Sequence, residues 1–146
     1  MIQKVRYALI ETPFRGVDWK ETELNHQYTK ACVGDSLQRG ENPYASHMFF
    51  TQRGILDDRD AIERTKGIRA GKNIERAIAM ASKYVGGIYV CTAVYTDRGI
   101  SSGMQIGINQ AKELGVPIDY RELGKDWRVK FQKFLESKDW LDLGLF

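Results

Sequence analysis

The chain has few of the residues that build covalent or metal-bound frameworks. Its 146 residues include only two cysteines, Cys32 and Cys91, and two histidines. No CxxC pair occurs, so a disulfide framework is not expected and a reducing compartment fits. No apolar run approaches the roughly 18 residues needed to span a bilayer, and the N-terminus lacks the apolar core of a signal peptide. The sequence predicts a cytoplasmic protein without a membrane partner.

An excess of charge of one sign is also missing. The formal net charge is +3, because 22 lysines and arginines are interspersed among 19 acidic residues. That balance is compatible with a small anionic ligand but gives no basic stripe, so duplex nucleic acid is not an expected partner. Hydrophobic residues make up 42% of the chain and charged residues 28%, which is ordinary for a globular protein. The length predicts one domain over residues 1–146.

Hydrophobic periodicity predicts alternating strands and helices. The apolar run at 88–95 does not alternate, which is typical of a strand buried on both faces. Gly67 and Gly71 lie within a helical pattern and predict either a break or a close backbone approach. The fold class is therefore α/β: a three-layer open parallel sheet of about four to five strands with helices on both faces, Rossmann- or flavodoxin-like. The predicted strands are 5–10, 43–50 (short, or irregular), 88–95 and 116–120, and the predicted helices are 22–37, one starting at 56–60 and running past Ile74, 101–114 and 125–135.

In such a sheet, ligands bind outside the carboxyl ends of the strands. Residues 11–14, 46–52, 96–98 and 99–103 are expected to converge there. Two acids at these ends are candidate catalytic residues. Asp97 follows the buried strand and either interacts with a sugar or nucleophile or simply forms a turn, and Glu11 ends the first strand.

The small residues at 99–103 open a helix whose free N–H groups are suited to a phosphate or carboxylate, with Arg98 nearby. The alternative is a serine N-cap with no ligand. His47 is a candidate for hydrogen bonding to a ligand, although a lone histidine at a strand end is more often structural. The predicted ligand-binding residues are Thr12, Pro13, Phe14, Ser46, His47, Arg98, Gly99, Ser101, Ser102, Gly103, Met104 and Gln105.

Other signals are weaker. Residues 67–72 have the glycines and lysine of a phosphate loop but lack its spacing and its Ser/Thr, and they follow no strand. The acids at 57–63 do not match a calcium loop and indicate a solvated helix start. Neither histidine forms a zinc-type cluster, so no metal and no cofactor is predicted. The apolar tail predicts a homodimer or larger assembly; its residues are Trp127, Phe131, Phe134, Trp140, Leu143 and Phe146.

Taken in order, three segments resemble the nucleoside 2-deoxyribosyltransferase-like superfamily, and within it a branch of short proteins, many from phages. They are residues 7–14, residues 40–47 with Gly40, Pro43, Ser46 and His47, and residues 100–104 opening a helix before 115–117. The resemblance spans roughly residues 4–122. It implies a nucleoside or nucleotide ligand and cleavage or exchange of an N-glycosidic bond by a glutamate nucleophile.

The position of that glutamate is Gln105 or Gly107 here, and neither is a carboxylate. Glutamine keeps the shape of glutamate but forms no covalent sugar intermediate. One hypothesis is an N-glycosidic enzyme in which Asp97 or Glu11 has taken over, for example by activating water. A second is a protein that sequesters a nucleotide-derived signal without turnover. A third, a structural or protein-interaction module, explains the apolar tail but not the cluster at the strand ends.

Overall fold

The computed structural model of the chain describes residues 4–140. Four strands form one sheet in the order β2-β1-β3-β4, and every neighbouring pair is parallel. This confirms the predicted three-layer α/β fold. The strands are β1 (Val5–Glu11), β2 (Asn42–Tyr44), β3 (Ile88–Tyr95) and β4 (Ile118–Arg121). The helices are α1 (Trp19–Gln38), α2 (Ser46–Phe50), α3 (Ala61–Tyr84), α4 (Ser102–Leu114) and α5 (Trp127–Glu136).

The two faces of the sheet bury different helices because side chains alternate along each strand. On one face, Ala8 and Ile10 of β1 pack with Tyr28 and Cys32 of α1, and Trp127 of α5 packs against this cluster. The opposite face carries α3 and α4. There the packing residues are Leu9, Ala79, Val90, Val94, Met104, Ile108, Ala111 and Val116.

The starts of the two longest helices, α1 and α3, are capped by aspartates. Asp18 accepts a hydrogen bond from the Glu21 N–H at 2.8 Å, so α1 begins three residues before the predicted Thr22. Asp60 accepts from the N–H groups of Ile62 and Glu63 and caps α3. Acidic side chains suit these ends because helix N-termini present unpaired N–H groups and a positive dipole end.

The prediction of one strand over 43–50 was wrong in its second half. Only Asn42–Tyr44 pairs with β1, and Ser46–Phe50 is the short helix α2. The strand β2 lies at the sheet edge, where a proline such as Pro43 is tolerated.

Helix α3 runs unbroken through Gly71, where a Cβ would lie 2.6 Å from the Cβ of Ser46. Of the two predictions for this glycine, the close approach is confirmed.

A buried ion pair ties the C-terminal end of β4 to the start of β2. Arg121 donates two hydrogen bonds to Glu41, at 2.8 and 2.7 Å, and a third to the Tyr95 hydroxyl at 3.2 Å. Ser36 donates to the same Glu41 carboxylate at 2.8 Å. These hydrogen bonds hold the Glu41 pKa below its ordinary range, although burial alone would raise it. The pair holds the two outer strands against α1.

The C-terminal aromatics are only partly surface residues. Trp127 packs edge-on against Tyr28 with ring centroids 5.1 Å apart, so this partly buried side chain lies against the core. Phe134 remains half-exposed and contacts Trp140. Leu143 and Phe146 lie outside the described residues. The homo-oligomer stays a prediction. None of the helices formed by residues 4–140 combines the length and apolar character needed to cross a membrane.

Candidate functional site

A partly enclosed cavity lies where the strand order reverses. The connection that leaves β1 leads to β2 on one side and the connection that leaves β3 leads to β4 on the other, which makes the β1–β3 junction a switch point. The cavity at its carboxyl end measures about 160 Å³. Its lining residues are Glu11, Thr12, Phe14, Arg15, Ser46, His47, Asp58, Arg64, Ile68, Lys72, Ser101, Ser102, Gly103, Met104 and Ile106.

Nine of the residues predicted from the sequence line this cavity together. They come from the end of β1, the start of α2 and the start of α4, and they are Glu11, Thr12, Phe14, Ser46, His47, Ser101, Ser102, Gly103 and Met104. The predicted convergence of strand ends and helix starts therefore holds for three of the four segments.

The segment after β3 is the exception. The Asp97 carboxylate accepts hydrogen bonds from the Tyr28 hydroxyl at 2.5 Å and from the N–H groups of Leu123 and Gly124 at 2.9 to 3.0 Å. Burial would raise the pKa of Asp97, but these donors outweigh it and lower the pKa. Asp97 does not line the cavity. It anchors the β4–α5 loop, so the alternative of a turn-forming aspartate fits its contacts.

Four further predicted residues lie outside the cavity lining. Arg98 donates to the Asn25 side chain at 2.8 Å, and the exposed Gln105 donates to Asn109 at 2.9 Å, one turn along α4. Both side chains thus make their hydrogen bonds outside the cavity. Pro13 and Gly99 do not line the cavity either.

A partly buried lysine lies between two buried carboxylates at the floor of the cavity. The Lys72 Nζ is 3.0 Å from Glu11 Oε1 and 2.9 Å from Glu75 Oε2. Glu11 is 7% exposed and Glu75 is 4% exposed, so this is a desolvated group of three charges. Burial lowers the pKa of Lys72, but the two carboxylates outweigh it and raise the pKa, which keeps the ammonium charged.

Glu11 titrates near neutrality in this environment. Burial raises its pKa from 4.5 to about 7, Lys72 opposes that rise, and the neighbouring Glu75 charge adds to it. Burial likewise raises the pKa of Glu75. A carboxylate with a pKa close to the working pH can both hold and release a proton, which general acid–base catalysis requires.

Gly107 makes room for this carboxylate. A Cβ at Gly107 would lie 1.8 Å from Glu11 Oε1 and 2.2 Å from its Cδ. Any other residue at this position of α4 would force the Glu11 side chain to move. The Glu11 carboxylate therefore occupies the space where a side chain at residue 107 would begin.

The other wall of the cavity is aromatic and hydroxyl-bearing. Phe14 stacks on His26 with centroids 4.6 Å apart and meets His47 edge-on at 5.3 Å. At the α4 start, the Ser101 hydroxyl accepts from the Met104 N–H at 3.2 Å. Ser101 thus acts as an N-cap, and Ser102 and Gly103 lie exposed beside it at the cavity.

An open groove continues from the cavity. It measures about 980 Å³ and runs between residues 14–23 and 51–59. Phe14, Arg15 and Asp58 line both spaces. A ligand with one part in the cavity therefore has room for a second part in the groove.

Lys72 and Glu75 are the main site residues that the sequence analysis missed. A signal for them exists: Gly71, Glu75 and Ala79 repeat every four residues on the buried face of α3. A carboxylate in such a stripe predicts a buried charge, and buried charges need a partner nearby. Arg15, Asp58, Arg64, Ile68 and Ile106 were also missed. Within residues 4–140, no group of three or more His, Cys, Asp or Glu side chains is arranged to hold a metal ion.

Fold and cavity together define an α/β protein with a parallel sheet and a strand-end site in which a lysine lies between two buried carboxylates. The chain belongs to the family of the domain of unknown function DUF7768, which matches residues 6–121. That range holds every residue lining the cavity and all four strands except Val5, the first residue of β1. No curated protein and no solved structure matches the chain.

Proposed function

We propose that the protein binds a nucleoside or nucleotide in the strand-end cavity and hydrolyses its N-glycosidic bond, with Glu11 as the reacting carboxylate. The observation that carries this proposal is the placement of the Glu11 carboxylate against Gly107. The resemblance to nucleoside 2-deoxyribosyltransferases implies a glutamate on α4, at residue 105 or 107. Glu11, at the end of β1, brings a carboxylate directly beside residue 107 of α4.

In the proposed reaction, Glu11 acts as the base toward water. Ionised Glu11 takes a proton from a water molecule, whose oxygen bonds to the anomeric carbon of the sugar. The bond from that carbon to the base nitrogen breaks, and the base leaves with the electron pair and takes a proton from solvent. The carboxylate charge also favours the oxocarbenium-like transition state.

The electrostatics of the site support this role. A pKa of about 7 leaves a large fraction of Glu11 ionised at neutral pH, while its conjugate acid forms without a large free-energy cost. The Lys72 ammonium, 3.0 Å away, stabilises the ionised form. Glu75 holds Lys72 from the other side at 2.9 Å and fixes its position.

The size of the cavity supports a ligand that is only partly enclosed. Pockets for complete small-molecule ligands span roughly 300–1,000 Å³, whereas this cavity measures about 160 Å³. It suits the sugar of a nucleoside, with the remaining part of the ligand in the adjoining groove of about 980 Å³.

The test is direct detection of released base. The wild-type protein is incubated for hours with a panel of nucleosides, nucleotides and cyclic nucleotides, while thermal shift reports binding and chromatography reports free base. Glu11→Gln is expected to bind but release no base, because the amide cannot take the proton. Glu113→Gln, an exposed carboxylate on α4, is the matched control and should behave as wild type.

The same ion pair also favours a second function, binding without turnover. Lys72 opposes the rise that burial causes in the pKa of Glu11 and so reduces the basicity of the carboxylate, which suits a protein that sequesters a nucleotide-derived signal. Tight binding with no free base from the wild type, and a change of affinity alone in Glu11→Gln, would support sequestration over hydrolysis.

A further inference from the structure

A chain of hydrogen bonds connects the cavity to the interior of α1. His47 Nε2 lies 2.9 Å from the Thr12 hydroxyl, which lies 2.7 Å from the Thr29 hydroxyl. Thr29 in turn donates to the backbone carbonyl of Asn25 at 2.9 Å. Thr29 is fully buried and Thr12 is 5% exposed, so water does not interrupt the chain at the threonines.

The number of hydrogens in this chain fixes its direction. Each hydroxyl has one hydrogen to donate and two lone pairs to accept with. The Thr29 hydrogen goes to Asn25, so Thr29 accepts from Thr12. The single Thr12 hydrogen is then used, and Thr12 accepts from His47. His47 therefore carries its hydrogen on Nε2.

The other ring nitrogen, Nδ1, is left without a partner. No described residue makes a hydrogen bond to it, and it is not sealed from solvent. Burial, and after it the positive charge of Lys72, lower the pKa of His47 from 6.5 to about 4. The ring is thus neutral at physiological pH. Its Nδ1 keeps a lone pair that no described residue uses, and His47 lines the cavity.

We propose that His47 is a specificity-determining residue, whose Nδ1 accepts a hydrogen bond from an uncharged hydroxyl or N–H group of the ligand. Thr12 and Thr29 are positioning residues that hold the required tautomer. A lone pair at this point attracts a donor and repels an anionic oxygen. The phosphate of a nucleotide therefore lies away from His47, and the sugar or base faces it. This choice of ligand group rests on the proposed function, whereas the tautomer rests on the hydrogen bonds alone.

The tautomer is measured by ¹⁵N NMR of histidine-labelled protein without ligand. The chain has two histidines, so His47→Gln assigns the signals by removing one ring. We expect a protonated Nε2 and an unprotonated Nδ1 at pH 7. An imidazolium, or a ring protonated on Nδ1, would overturn the proposal.

A pair of variants separates the effect of hydrogen-bond direction on the His47 tautomer from the effect of Thr29 packing. Thr29→Val removes the acceptor for Thr12, whose hydrogen becomes free to point at His47 Nε2 and to shift the ring toward the Nδ1–H form. Thr29→Ser keeps the hydroxyl and should keep the wild-type tautomer. Identical tautomers in both variants would contradict the positioning role, because a purely structural Thr29 gives no such difference.

Ligand probes test the acceptor role. 2-Deoxyribose offers hydroxyls only, adenine offers N–H groups only, and 2′-deoxyadenosine offers both. A change in the Nδ1 signal with 2-deoxyribose or adenine identifies the donor, and the absence of any change with all three probes refutes the role.

Thr29→Val should weaken 2′-deoxyadenosine binding about tenfold and Thr29→Ser should not. Release of base by the wild type is measured separately. A protein that releases no base would contradict the hydrolysis hypothesis without affecting the conclusions from the tautomer and the probes.

Discussion

Glu11 should make the stability of the protein depend on pH in a way that one substitution removes. Burial raises its pKa from 4.5 to about 7 in the folded state. A carboxyl whose pKa is higher in the folded state than in the unfolded state stabilises the folded state. This contribution is complete at a pH below the unfolded-state pKa and is lost as the pH rises through the folded-state pKa. Each pKa unit corresponds to 1.36 kcal/mol, so the loss between pH 5 and pH 8 is about 2–3 kcal/mol.

The substitution Glu11→Gln removes this titration and keeps the shape of the side chain. Lys72 retains Glu75 as a partner at 2.9 Å, so no unpaired charge is created. The raised pKa of Glu75 acts with the same sign in both proteins, so most of its effect cancels in the comparison. The variant is therefore expected to gain about 2–3 kcal/mol relative to wild type when the pH is raised from 5 to 8.

Urea unfolding at pH 5 and pH 8, followed by tryptophan fluorescence, measures this difference. Glu113→Gln is again the control and should track wild type at both pH values. If Glu11→Gln also tracks wild type, the carboxylate does not titrate near 7 and the reasoning on its burial is wrong. For the hydrolysis hypothesis, base release should rise with pH through about 7, because the reacting form of Glu11 is the ionised one.

Three further substitutions test the neighbouring contacts. Gly107→Ala forces the Glu11 carboxylate to move, and should cost about 1–3 kcal/mol of stability and abolish base release; calorimetry and chromatography report both. Arg121→Met leaves the Glu41 carboxylate buried without its partner and should cost about 3–5 kcal/mol, measured by urea unfolding. Asp97→Asn should lower stability by about 1–3 kcal/mol yet leave base release per folded molecule unchanged, and a selective loss of activity would return Asp97 to the reaction.

The sequence predicted the fold well because its signals are local. The uniform apolar character of Ile88–Tyr95 indicates a strand buried on both faces, and that strand pairs with β1 and β4 in the sheet interior. The division of 42–50 into a strand and a short helix was missed for the opposite reason. It depends on the approach of Ser46 to Gly71, two residues far apart in the chain.

The candidate site was only partly predictable for the same physical reason. Their position at strand ends identified Glu11 and the α4 start as site candidates. The same criterion made Asp97 an equally good candidate for the catalytic acid. Only the tertiary structure separates the two acids. Three donors from Tyr28, Leu123 and Gly124 hold Asp97 as a stable anion. Glu11 instead has one strong donor, Lys72, in a desolvated setting.

This contrast determines which acid can do chemistry. A carboxylate that accepts several hydrogen bonds has a lowered pKa and is a poor proton acceptor, as at Asp97. A buried carboxylate with a raised pKa lies at higher free energy when ionised, and it regains part of that free energy by taking a proton. Glu11 is in that second position, at the floor of a cavity with open space beside it. The absence of a side chain at Gly107 is what allows the Glu11 carboxylate to lie there.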